Sequence, residues 1–238
     1  MSIRNEINAL RAELDFKETS IFLLAPVLLT LQHYLAKYGV LSAWLKPFVA
    51  EARLEMWGSL SWCASIFLLY AVIPSLWIRW GLKESPLDYG WRWNQLQRHL
   101  LPYLLFFGVM LLPILFAAST PAFQKSYPFF AYVKTSWALF ALWQLAYACQ
   151  FVAVEFFFRG FMSFGLYRRF GAYAFLISSI PYCMIHYSKP IGESFGAIIA
   201  GIVLAHLAYK NRSIWGGALL HWLVALSMDL AALLLSRT

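Results

Sequence analysis

This chain predicts an all-α, polytopic membrane protein, and three observations carry that expectation. Hydrophobic residues make up 61% of its 238 residues and charged ones only 13%, against about 45–50% and about 25% in soluble domains. Mean hydropathy is +0.63. The apolar residues gather into runs of the length a helix needs to cross a bilayer, about 20 residues. They lack the alternation of membrane barrel strands.

Seven segments meet the length test: 19–36, 57–78, 99–118, 138–160, 172–187, 194–209 and 213–235. The third holds Pro102 and Pro113, so a kink is expected there. The fifth and sixth are short and joined by the tight "SKPIGE" loop. The first 18 residues mix both charge signs and show no small-residue cleavage site after the first apolar run, so a short amphipathic helix on the cytoplasmic surface is expected rather than a cleaved signal. The stretch "RWGLKESPLDYGWRWNQLQRH" is amphipathic and is expected to lie along the same interface. Repeats, low-complexity tracts and linkers are not evident, so residues 1–238 are one membrane domain.

Charge orients the chain. Lys and Arg fall three in the N-terminal segment, four in 79–98, three in 159–171 and two in 210–212, leaving seven of the 19 for the other side. The positive-inside rule then puts the N-terminus in the cytoplasm and the C-terminus outside. The net charge of +8 forms no basic stripe with interleaved aromatics, so the expected partner is the lipid bilayer and not nucleic acid. Cys63, Cys149 and Cys183 lie in apolar runs without a CxxC spacing and are expected to be small buried hydrophobes.

Chemistry is sought at ionisable groups inside the spans, because placing them there is costly. The second half of the chain offers Glu155, Arg159, His186, His206, His221 and Asp229; the first half offers mainly His33. Counting about 1.5 Å per helical residue from the basic loops puts Glu155 and His186 about 20 Å deep, His221 about 12 Å and Asp229 about 24 Å. Glu155 and Arg159 share a helix face, as do Tyr182 and His186, and His221, Ala225 and Asp229 over two turns. Plainer readings stand beside this one. Glu155 and Arg159 could be an intrahelical ion pair, His206 a packing residue and Asp229 an interfacial acid. The stripe Gly192, Gly196, Ala200 is expected to be a close helix-packing seam.

A carboxylate kept from bulk water can serve as a general base, and two imidazoles can orient a water or stabilise an oxyanion. Together they suit peptide hydrolysis without a covalent nucleophile. That chemistry needs no cofactor, so none is expected; Glu, His and Asp are also acceptable zinc ligands, which makes zinc the alternative. HExxH is absent. A proton-coupled carrier is a third class, but matching halves and interrupted helices are not evident.

Glu155-xxx-Arg159, then Tyr182-xxx-His186, then "NRSIWGGALLHW" leading into His221, resembles the CPBP family of CAAX proteases and bacteriocin-processing proteins, the glutamic intramembrane proteases. The resemblance covers about residues 135–230 and looks closest to bacterial, myxosortase-like members. It implies an intramembrane endopeptidase of the bacterial inner (plasma) membrane, acting on a membrane peptide or a protein's C-terminal tail. Glu155, Arg159, His186, His221 and Asp229 would be its site. The family motif E-E-x-x-x-R has Val154 here in place of its first Glu, and H-x-x-x-N has Ala225 in place of its Asn. Either the site is rearranged, with Glu155 as base and Asp229 as polar partner, or the chain is an inactive member acting as an immunity or interaction protein.

Overall fold

The computed structural model describes residues 13–93 and 99–235, with Ile3 and Asn5 besides. Of the 18 residues on which the N-terminal amphipathic helix is expected, 1–2, 4 and 6–12 lie outside the described residues. The described residues contain helices and no strand. In order these are α1 (Phe16–Leu35), α2 (Tyr38–Leu45), α3 (Glu51–Gly81), α4 (Leu100–Ala118), α5 (Pro121–Ser126), α6 (Trp137–Phe170), α7 (Tyr173–Met184), α8 (Ile191–Asn211) and α9 (Trp215–Leu235).

Five of these are long and apolar enough to cross a membrane: α3, α4, α6, α8 and α9. A sixth span results if α1 and α2, bent by 50° at their junction, count as one. The expected seven spans reduce to this because α7 is helical for only 12 residues, about 18 Å of rise. Both prolines are accommodated in α4, which runs unbroken from Leu100 to Ala118 with Pro102 in its first turn.

The bundle has a basic end and a far end. At the basic end Asp15 pairs with Arg169 at 3.1 Å, Lys17 with Glu84 at 2.8 Å, and Ser213 Oγ donates to the Arg92 carbonyl at 2.8 Å. The loop after α3 does not simply lie on the surface as an amphipathic segment. Tyr89 is buried, and Gly90, at φ +98°, offers its carbonyl to Ile214 N–H at 3.1 Å. A side chain at 90 would both strain the backbone and strike Ile214. Trp91 from this loop stacks on Phe156 at 4.8 Å, so the loop forms a floor beneath the middle of α6.

At the far end residues 119–136 form a strap across the helices. Glu55 of α3 accepts from Ala131 and Tyr132 N–H at 2.8 and 3.1 Å. Tyr127 donates to Glu193 of α8 at 3.1 Å. Phe130 enters an aromatic cluster with Trp143, Tyr147 and Phe151 of α6. That column continues to His221, whose ring stacks on Phe151 at 5.0 Å.

Helices in lipid associate through close packing and polar contacts. The close approaches fall at Gly160, Gly165, Gly201, Gly216 and Gly217, where an added Cβ would strike a neighbouring element. They do not fall on the expected seam: nothing lies within 4 Å of a Cβ at Gly192 or Gly196. Cys149 is also unlike the expectation, being exposed on α6, while Cys63 is buried and Cys183 half-buried.

Candidate active site

Ser136 starts α6 by accepting from Ala138 N–H at 3.2 Å, and the α-helical part runs to Glu155. From Phe156 to Phe164 the helix widens into a π-helix. Ser163 Oγ marks that register by donating to the Phe158 carbonyl five residues back, at 2.8 Å, and bonds Ser178 of α7 at 2.7 Å. Long π stretches are rare, and short ones are frequent at functional sites. Every residue from Ala153 to Leu166 is buried. The phenylalanines thus sheathe Glu155 and Arg159, both fully buried.

Glu155 Oε1 accepts from His221 Nδ1 at 2.9 Å. Its other oxygen, Oε2, lies 3.2 Å from Arg159 Nε, close enough for an ion pair but without hydrogen-bond alignment. Oε2 and all three guanidinium nitrogens therefore have no hydrogen-bond partner in the structure. Buried polar groups are ordinarily satisfied, so such a cluster invites water or a ligand's polar atoms. The guanidinium lies over the Tyr182 ring at 4.0 Å. Glu155 faces the first turn of α9, where a side chain at Gly217 would strike Oε2. The positive end of the α9 dipole favours a carboxylate there.

His221 Nε2 meets the Tyr182 hydroxyl at 2.7 Å. His186 Nδ1 donates to the Tyr182 carbonyl at 2.8 Å, and its ring sits 4.8 Å from the Tyr182 ring. A carbonyl only accepts, so the neutral His186 ring keeps its lone pair at Nε2. Glu155, Arg159, His186 and His221 are thus gathered around Tyr182.

Asp229 does not join them. Its Oδ2 accepts from Trp143 Nε1 at 2.9 Å and Gln144 Nε2 at 2.8 Å, and its Oδ1 from Phe129 N–H of the strap at 3.3 Å. Trp143 precedes Glu155 by 12 residues on α6, about 18 Å of helix. The expected common depth of Glu155 and Asp229 fails for two reasons. The π segment is shorter per residue than an α-helix, so Glu155 sits nearer the basic end than counting suggests. The loop ahead of α9 is tucked into the bundle, with Ile214 fully buried, so α9 begins level with Glu155. His206 is exposed, with its ring 6.0 Å from Phe175. His33 is exposed beside Tyr34. Val154 is buried in the main apolar core and Ala225 among the far-end aromatics. Among the described residues, no three His, Cys, Asp or Glu side chains group as a metal site requires.

The sequence shows Tyr182 as the aromatic spaced four residues before His186, and carries no sign of where its hydroxyl points.

The arrangement, inside a bundle of apolar helices, is a carboxylate with one oxygen held and one unpartnered, beside a buried cation with unspent donors. Residues 136–227 match the family model described as Rce1-like, type II CAAX prenyl endopeptidase Rce1-like. That stretch contains Glu155, Arg159, Tyr182, His186 and His221 and stops short of Asp229. The match supports a place in the CPBP family and a protease role. No curated protein and no solved structure matches the chain.

Proposed function

We propose that this protein is an intramembrane endopeptidase in which Glu155 is the general base. The observation that carries the proposal is the unpartnered Oε2 of a carboxylate whose other oxygen is held by His221. Glu155 Oε2 takes a proton from a water that His186 Nε2 orients by accepting its other hydrogen. The hydroxide attacks the scissile carbonyl carbon. Arg159, with no competing hydrogen bonds, donates to the oxyanion that forms. Glu155 returns its proton to the leaving nitrogen as the C–N bond breaks. No metal takes part in this scheme.

A second reading is favoured by exposure: the His221 side chain is 17% exposed and that of Glu155 0%. In it His221 is the base, and Glu155 orients it as a buried carboxylate orients a catalytic imidazole.

The substrate class that fits is a membrane-associated peptide or protein tail, as in bacterial processing enzymes. The basic end faces the cytoplasm of a bacterial inner membrane, with the N-terminus on that side. The test uses the purified full chain in detergent with a panel of membrane peptides. Wild type cleaves one or more, and cleavage survives thorough chelation. His186→Ala and His221→Ala each lose at least about a hundredfold, the scale of an acid–base or oxyanion group. A loss at His221 as complete as that at Glu155 selects the second reading. Activity lost to a chelator and restored by stoichiometric zinc would make Glu155, His186 and His221 ligands. No cleavage of any peptide would favour an immunity or interaction protein.

A further inference from the structure

Tyr182 touches both histidines of the site, through two different atoms. Its carbonyl accepts from His186 Nδ1 and its hydroxyl meets His221 Nε2. The protonation of His221 follows from its two partners. Glu155 as a carboxylate can only accept, so His221 Nδ1 carries a hydrogen. If Nε2 carried one as well, the Tyr182 hydroxyl would accept it, and the phenol hydrogen would be left over. Tyr182 is 1% exposed, and its hydroxyl has no other hydrogen-bond partner among the described residues. An unmade buried donor costs about 1–3 kcal/mol. The Arg159 guanidinium, 4.0 Å from the same ring, also disfavours a second cation beside it. The consistent arrangement has Tyr182 O–H donating to a bare Nε2.

We propose that Tyr182 is a positioning residue that sets the tautomer of both site histidines to Nδ1–H. Through its hydroxyl it keeps the His221 Nδ1 hydrogen on Glu155 Oε1, which leaves Oε2 to the reaction. Through its carbonyl it keeps the His186 Nε2 lone pair available. The ring that carries these contacts is fixed on several sides. Arg159 lies on its face, Phe158 meets it edge-on at 5.3 Å, and Gly201 of α8 gives it room where a Cβ would press on the ring at 3.3 Å. The phenol fits a bonding position between fixed groups, which a phenylalanine would occupy without the bond.

The tautomer assignment stands on the hydrogen bonds alone; its effect on rate rests on the proposed protease function. The experiment separates the two. Full-length protein labelled with nitrogen-15 in histidine is observed by NMR in lipid nanodiscs, with His186 and His221 assigned by single substitutions. In wild type both rings should show a protonated Nδ1 and an unprotonated, hydrogen-bonded Nε2 at His221. In Tyr182→Phe the His221 Nε2 signal should move to that of a free lone pair, or the ring should populate both tautomers, while His186 stays unchanged. With a cleaved peptide, kcat of Tyr182→Phe should fall roughly tenfold, the scale of one hydrogen bond, at near-constant KM. A wild-type spectrum with Nε2–H or a doubly protonated His221 would overturn the proposal even if Tyr182→Phe failed to fold. So would a variant spectrum identical to wild type. Lack of cleavage by wild type would defeat the function and leave the tautomer result to stand.

Discussion

Glu155 and Asp229 are both carboxylates with no exposure, on α6 and α9, helices that face each other. They are handled in opposite ways. Asp229 is surrounded by neutral donors that it satisfies: an indole, an amide and a backbone N–H. It ties the strap to two helices, and neither of its oxygens lacks a partner. Glu155 has one oxygen bonded to an imidazole and one without a hydrogen bond, beside a guanidinium with three unused nitrogens. A buried carboxylate that serves structure is satisfied by its surroundings. One left partly unsatisfied, at the cost that carries, is the better candidate for chemistry.

Substitutions test that contrast. The largest effect on stability is expected at Arg159→Met. It strands the Glu155 charge in the core and should cost about 3–5 kcal/mol, as when one partner of a buried pair is removed. Combining it with Glu155→Gln should recover much of the loss, and chemical denaturation in detergent would measure the cycle. If the double variant is no better than the single, the pair is not coupled as described. Asp229→Ala comes next. It leaves three donors unmade at roughly 1–3 kcal/mol for each that stays dry, so the melting temperature should fall while turnover per folded molecule changes little. A turnover loss without a stability loss would return Asp229 to the site.

Gly217→Ala should have a smaller effect on stability, about 1–3 kcal/mol for an overpacked contact. Its methyl group would press on Glu155 Oε2, so it should reduce turnover disproportionately. Equal turnover in Gly217→Ala would show that Oε2 is not the reacting oxygen. The smallest effect lies at the basic end. Burial alone would raise the Glu84 carboxyl, but hydrogen bonds from Lys17 and Tyr89 outweigh it and hold it below the usual glutamate range. A depressed carboxyl contributes stability above its unfolded pKa, about 4.3. That contribution is lost as pH falls through the lower folded value. Glu84→Gln should therefore lower stability slightly at neutral pH and flatten its decline under acid, as a melting series from neutral to acid pH would show.

Much of this is legible in the residues alone. Composition and run length announce the helical membrane class. The i, i+4 spacing of Glu155 and Arg159 and the order of the later spans bring Glu155, Arg159, His186 and His221 together. What escaped has physical causes. A phenylalanine run carries no mark of the switch from α to π at Phe156, and the residues ahead of Trp215 carry none of the burial that starts α9 level with Glu155, so counting from the basic loops brings Asp229 to the depth of Glu155. The 86–93 loop is polar enough to suggest a surface, yet Gly90 allows a left-handed turn that tucks it under α6. Gly192 and Gly196 have the spacing of a packing seam, but a glycine pair does not say which side of its helix has a neighbour. Tyr182 was visible as an aromatic; that its hydroxyl reaches His221 depends on the approach of α7 to α9.

Turnover of Glu155→Gln and Asp229→Asn on one cleaved membrane peptide, each normalised to folded protein, decides whether the two buried carboxylates differ in role. Glu155→Asp serves as a control that keeps the charge beside Arg159. With Glu155 as the general base, Glu155→Gln should lose at least about a hundredfold in kcat, within the range ascribed to such a group. Glu155→Asp should be folded but badly impaired, and Asp229→Asn should stay near wild type per folded molecule. Near-normal turnover by Glu155→Gln, or a loss at Asp229→Asn as deep as at Glu155, would contradict that division of roles.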